Sequence, residues 1–137
     1  MHNLVYHTRR SVVGLLLLAF VISAGCDSGP KTFPVSGKVV DKSGKPWSGG
    51  TITFQLASDP TMGITGEIQK DGAFTLTTNF ASGNAAKALT GAPAGEYTVT
   101  VEPSYGDELP TVIKGYTVKQ KFTVKEAGND FRVEVTE

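Results

Sequence analysis

Apolar and polar residues alternate with a period of two along most of the chain after residue 34. The alternating runs are short, and Gly, Pro, Asn and Asp separate them. Because successive side chains of a strand point to opposite faces of a sheet, each run predicts a strand with one buried face. No segment after residue 25 keeps a helical period over ten residues. The pattern therefore predicts an all-β fold, an antiparallel seven-stranded β-sandwich. Its apolar positions are Val35, Gly37 and Val39; Ile52, Phe54 and Leu56; Met62, Ile64, Gly66 and Ile68; Phe74 and Leu76; Tyr97, Val99 and Val101; Val118, Phe122 and Val124; and Phe131, Val133 and Val135.

Two segments break the alternation and are predicted to be long loops. Residues 79–92 are rich in Gly and Ala, and residues 103–115 contain two prolines and an acidic pair. Binding residues often lie on loops that a rigid scaffold positions. These two segments are therefore where the sequence alone would place a binding function.

The N-terminus has the features of an export signal. Arg9 and Arg10 precede an apolar run over residues 12–24, and the small residues Ser23, Ala24 and Gly25 lead to Cys26. The run has the length of a signal-peptide hydrophobic region and is short for a membrane span. The approach to Cys26 resembles a bacterial lipobox, which implies cleavage before Cys26 and a diacylglycerol on its sulfur, so that acyl chains such as palmitate hold the protein on a membrane. The alternative is an ordinary signal peptide followed by an incidental cysteine.

The same segment leaves the export route open. The arginine pair resembles a twin-arginine signal, although a general secretion signal is the preferred interpretation. The predicted organisation is a signal peptide over 1–25, a lipidated tether over 26–34 and a sandwich domain over 35–137. The expected location is the bacterial cell envelope, with the protein anchored to a membrane and facing the periplasm or the exterior.

The amino-acid composition limits the kinds of reaction and ligand that the chain can support. The chain has 137 residues, enough for one domain, and its 13 cationic and 13 acidic side chains balance, which argues against nucleic acid as a partner. Both histidines, His2 and His7, lie in the predicted signal peptide, and Cys26 is the only cysteine. A chain that begins at Cys26 therefore contains no histidine and no free thiol for nucleophilic, redox or Cys/His metal chemistry. Paired carboxylates remain open but would need a cleft. We expect no enzyme activity, no cofactor and no metal site.

Several motifs resemble one family when they are taken in order. Residues 35–54 are similar to the opening strand, Gly-x-Pro turn and second strand of the carboxypeptidase regulatory-like domain, a transthyretin-like (prealbumin-like) sandwich with an Ig-like Greek key. Residues 70–76 and 93–101 resemble later parts of that domain, and residues 122–131 look like the end of small planctomycete lipoproteins of this type. The resemblance implies the fold and an envelope location. It implies no catalysis, because in metallocarboxypeptidases this domain accompanies a separate zinc domain.

Two aromatic residues are candidates for a binding surface. Trp47 and Tyr105 would offer an aromatic platform for a sugar ring; the alternative is that Trp47 caps the core and Tyr105 packs on its own loop. The leading hypothesis is a lipid-anchored envelope protein that acts by binding or scaffolding. The alternatives are an accessory subunit of an envelope complex, which would use an exposed sheet edge, and a small carbohydrate-binding module.

Overall fold

A computed structural model describes residues 29–106 and 114–136, and the predicted signal peptide and Cys26 lie outside these ranges. All the regular structure within them is β-strand. Within the same ranges, no helix has the length and apolar character needed to cross a bilayer. The nine strands are β1 (Val35–Asp41), β2 (Thr51–Leu56), β3 (Asp59–Glu67), β4 (Ala73–Thr75), β5 (Thr77–Ser82), β6 (Ala85–Thr90), β7 (Gly95–Glu102), β8 (Tyr116–Val124) and β9 (Asn129–Val135).

The strands form two sheets of unequal width. The smaller sheet has the order β4-β1-β9, and the larger has the order β6-β5-β3-β2-β7-β8. All neighbouring pairs are antiparallel except β1 and β9, which run parallel from Val35 opposite Asn129 to Asp41 opposite Val135. The prediction of an all-β sandwich is confirmed, with this one parallel pair as an exception to its antiparallel character.

The core lies between the two sheets and follows the predicted alternation. Phe54 is fully buried at its centre, and four other aromatic rings lie with their centroids 5.7–6.2 Å from its own: Phe74, Tyr97, Phe122 and Phe131. The hydroxyl of Tyr97 donates a hydrogen bond of 2.7 Å to the carbonyl of Pro93. Burial raises the pKa of Tyr97 to about 12, because the ionised phenolate would lose its hydration.

The strand count of seven and the predicted loop over 79–92 are both wrong. The fourth predicted strand ends at Thr75, because the chain crosses from the small sheet to the large one at Leu76, whose backbone N–H donates to the carbonyl of Val35. The strands β5 and β6 then form a hairpin that begins two residues before the predicted loop and takes up most of it. Five of the six β6 residues are exposed, so this edge strand is held by backbone pairing and has no apolar alternation to reveal it. For the second predicted loop, residues 103–106 and 114–115 lie outside the strands, and residues 107–113 are not described.

The sandwich has two ends that matter for function. We call the end at which β1 and β9 begin the N-terminal end; the turn between β5 and β6 lies there too, because β5 runs antiparallel to β3 and β3 starts at this end. We call the end at which β1 and β9 finish the C-terminal end. Glu102, at the end of β7, and Tyr116, at the start of β8, also lie at the C-terminal end.

Candidate functional site

A tight turn at the C-terminal end positions Trp47. After Asp41 the chain folds back on β1: the N–H of Asp41 donates to the carbonyl of Lys45 (2.9 Å), and the N–H of Trp47 donates to the carbonyl of Val39 (3.0 Å). This pairing brings Pro46 beside Val40, and Val40 is buried although the alternation would place it outside. This pairing holds Trp47 opposite the core residue Val39, at the C-terminal end of the sandwich.

The carboxylate of Asp41 closes this turn. Its Oδ1 atom accepts hydrogen bonds from the hydroxyl of Ser43 (2.6 Å), the N–H of Ser43 (2.8 Å) and the N–H of Lys45 (2.9 Å). These donors, the Ser43 hydroxyl foremost, hold the pKa of Asp41 below its usual value. The negative charge of Asp41 is therefore used to order the turn that carries Lys42, Lys45 and Trp47.

The half-buried indole of Trp47 lies at one end of an aromatic cluster. The ring of Tyr116 meets it edge to face, with 5.6 Å between the ring centroids. The ammonium of Lys114 lies 4.9 Å from the Tyr116 ring centroid, a cation–π distance. The hydroxyl of Tyr105 accepts from the N–H of Lys114 (2.6 Å) and donates to its carbonyl (3.1 Å). The aromatic cluster, defined as Trp47, Tyr105, Lys114 and Tyr116, thus joins the turn after β1 to both sides of the 103–115 segment.

A groove opens beside Trp47. It encloses about 490 Å³ and is lined by Asp41, Lys42, Ser43, Lys45, Pro46, Trp47, Ser48 and Val135. The lining contains two cationic side chains, Lys42 and Lys45, and one carboxylate, on Asp41, which already accepts hydrogen bonds within the turn. A third cationic group lies close by, because a Cβ placed at Gly44, in the same turn, would lie 3.4 Å from the Arg132 guanidinium. The groove therefore offers an apolar aromatic surface with a positively charged rim.

The three site residues predicted from the sequence differ in where the structure places them. Cys26 lies outside the described residues. Trp47 is half-buried and packs against the core, and its aromatic partner is Tyr116. Tyr105 reaches the cluster through Lys114.

Sequence reasoning missed Tyr116 and Lys114. Tyr116 lies two residues before Val118, on the same strand face, so the alternation in that strand extends to it and could have placed it at the edge of the core. No sequence signal marks Lys114, because its contact with the ring of Tyr116, two residues later, and its hydrogen bonds with Tyr105 depend on the local path of the backbone.

We also searched the part of the chain that the structure describes for side chains that could hold a metal ion. Within residues 29–106 and 114–136, no three His, Cys, Asp or Glu side chains are grouped closely enough to hold a metal ion. Comparison with known proteins adds no relative: no family model, no curated protein and no solved structure matches this chain.

Proposed function

We propose that this protein is a lipid-anchored component of the bacterial cell envelope, whose carboxypeptidase regulatory-like, transthyretin-like sandwich acts by binding or scaffolding without catalysis. The proposal rests on the approach to Cys26 and on the motif order described above. One observation of the fold supports it most. The N-terminal segment joins the sandwich at the N-terminal end, and the groove beside Trp47 opens at the C-terminal end.

The length of the sandwich separates the N-terminal segment from the groove beside Trp47. β1 runs from Val35 to Asp41, and at about 3.3 Å per residue the two lie roughly 20 Å apart. A chain held at Cys26 would keep its first described residues close to the bilayer. The groove beside Trp47 would then lie on the side away from the bilayer, open to polymers or proteins of the envelope.

The residue inventory supports a role without catalysis. Residues 26–137 contain no histidine, and the sulfur of Cys26 would be a thioether in the lipidated protein. General acid–base work would fall to carboxylates, and the one carboxylate of the groove, on Asp41, holds a turn through three hydrogen bonds.

Metabolic labelling tests the proposed function directly. Cells that express the full chain would be grown with radiolabelled palmitate, alongside Cys26→Ala and the matched control Ser28→Ala, which leaves the cysteine in place. We expect label in the wild-type protein and in Ser28→Ala, and none in Cys26→Ala. Label that persists in Cys26→Ala, or that is absent from the wild-type protein, would refute lipid anchoring.

A second candidate function is recognition of an acidic saccharide in the groove. Trp47 would supply the apolar face, and Lys42 and Lys45 the charge that an anionic polymer needs. Truncation of a central Trp at a binding surface costs about 2 kcal/mol, which is roughly a 30-fold loss of affinity. We expect that loss for Trp47→Ala in binding to purified envelope polysaccharide, with no loss for the distant Phe80→Ala. Equal binding by the wild-type protein, Trp47→Ala and Phe80→Ala would exclude saccharide binding in this groove. If a stoichiometric envelope protein co-purified with the chain, the role of an accessory subunit would be favoured instead.

A further inference from the structure

The segment before β1 is fixed to the β5–β6 hairpin. Phe33 and Ala92 exchange two backbone hydrogen bonds, of 2.8 and 3.0 Å, and the hydroxyl of Thr32 donates to the carbonyl of Thr90 (3.0 Å). Gly29 lies against the ring of Phe80 so closely that a Cβ at this position would overlap the ring. Part of the predicted tether is therefore packed on the domain.

The direction of this segment follows the hairpin. Thr32 is bonded to Thr90, which pairs with Thr77, the first residue of β5; Gly29 has advanced along β5 to Phe80. Going from residue 32 back to residue 29, the chain thus moves toward the turn of the hairpin, at the N-terminal end. Cys26 precedes Gly29 by three residues, and three residues span at most about 11 Å. The chain length between Gly29 and residue 26 therefore limits how far an anchor at Cys26 could be from Gly29, which lies against Phe80 of the hairpin.

The composition of this region suits a lipid surface. Residues 72–95 contain no Asp or Glu and one cation, Lys87. The tip of the hairpin, which we define as residues 80–87, exposes small apolar side chains, and a shallow groove beside it is lined by Met62 and Phe80. The groove has one carboxylate, on Asp59, and its Oδ1 atom already accepts two hydrogen bonds from Thr61. Contact with a bilayer surface would therefore desolvate few charges.

We propose that the hairpin tip lies in the headgroup layer of the membrane that holds the acyl chains of Cys26. This proposal rests on the proposed function, because lipidation is what brings the tip to the bilayer. Lys87 then faces anionic phosphate groups, and Phe80 packs between Gly29 and the lipid surface. Two contacts, the acyl chains and the tip, fix the tilt of the sandwich and direct the groove beside Trp47 away from the bilayer.

A fluorescent label reports on this contact. Cys26 is consumed by lipidation, so a cysteine introduced elsewhere is the single free thiol of the mature protein. Asn84→Cys places an environment-sensitive NBD label at the tip, and Lys42→Cys places the matched control label at the C-terminal end; both positions are exposed. The lipidated full-length proteins would be reconstituted into vesicles of phosphatidylethanolamine and phosphatidylglycerol, and mass spectrometry would verify acylation.

We expect the Asn84 label to shift its emission to the blue and to be quenched by a spin-labelled lipid headgroup. The Lys42 label should keep the emission it shows in water. Aqueous emission from both labels in acylated, vesicle-bound protein would overturn this proposal alone. Purified protein that carries no acyl chains would overturn both this proposal and the proposed function. A shift at Lys42 in place of Asn84 would show that the opposite end meets the membrane.

Discussion

Replacement of Phe54 by alanine should remove a large share of the stability of the sandwich. Phe54 has no exposed surface, and its ring lies near four other aromatic rings, more than any other core residue within residues 29–106 and 114–136. A buried Phe→Ala change costs about 3–5 kcal/mol, and each well-oriented ring pair adds about 0.5–1.5 kcal/mol. We therefore expect a loss of about 5 kcal/mol in the free energy of unfolding.

The matched control is Phe80→Ala. Phe80 is half-buried on the hairpin and meets Gly29 at the margin of the domain, so we expect its truncation to cost about 1 kcal/mol. Urea unfolding followed by circular dichroism would compare both variants with the wild-type protein. With a slope near 1.5 kcal/mol per molar urea, the midpoint should fall by about 3 M for Phe54→Ala and by less than about 1 M for Phe80→Ala.

A loss of 5 kcal/mol approaches the whole stability of some small domains. If Phe54→Ala does not fold, Phe54→Leu keeps an apolar side chain at the centre, and a loss of about 1–2 kcal/mol is expected. A Phe54→Ala loss no larger than that of Phe80→Ala, or a Phe54→Leu variant as stable as the wild-type protein, would refute the placement of Phe54 at the centre of the core.

Three further substitutions test other parts of the fold by the same unfolding assay. Tyr97→Phe removes one hydrogen bond and should cost about 1 kcal/mol at pH 7. The phenol stays neutral in the folded state up to a pKa of about 12 but ionises near 10 when unfolded; because the hydroxyl is partly buried, the wild-type protein should lose about 1–2 kcal/mol between pH 10 and 12, relative to the variant. An unchanged difference across that range would contradict the burial of the hydroxyl. Gly91→Ala forces a Cβ onto the carbonyl of Phe33 at a φ of +90° and should cost at least about 2 kcal/mol, whereas Gly128→Ala, with open space around it, should stay within about 0.5 kcal/mol. Similar midpoints for the two glycine variants would argue against the packed N-terminal segment. Asn129→Ala deletes a side chain that makes three hydrogen bonds in the turn before β9 and a fourth to the carbonyl of Pro34, and should cost about 2 kcal/mol; a loss below about 0.5 kcal/mol would show that water replaces those bonds.

The buried strand faces can be predicted from the sequence because the alternation of side chains along a strand determines them. Side chains of a strand alternate between two faces, so Ile52, Phe54 and Leu56 fall on the same face, and all three are buried. The same rule identifies Val133 and Val135 in the last strand. Where a strand buries one face and exposes the other, its hydrophobic pattern is enough to predict it.

The exposed half of the fold is much less visible. The β6 strand has no buried face, and backbone hydrogen bonds to β5 define it, so its Ala-rich sequence resembles a loop. Burial of Val40 follows from a turn that folds back over it and cannot be inferred from its own strand. The contact between Trp47 and Tyr116 joins residues far apart in the sequence, and the pairing of the strands that brings them together is not encoded in either segment alone.

The mass of the mature N-terminus reports whether the protein is anchored through Cys26. Protein expressed from the full chain would be extracted from membranes and measured intact, and its N-terminal peptide would be sequenced by tandem mass spectrometry. We expect a chain that begins at Cys26 and carries a diacylglycerol on the cysteine sulfur. A chain that retains residues 1–25, or a mature chain whose Cys26 is unmodified, would contradict this expectation.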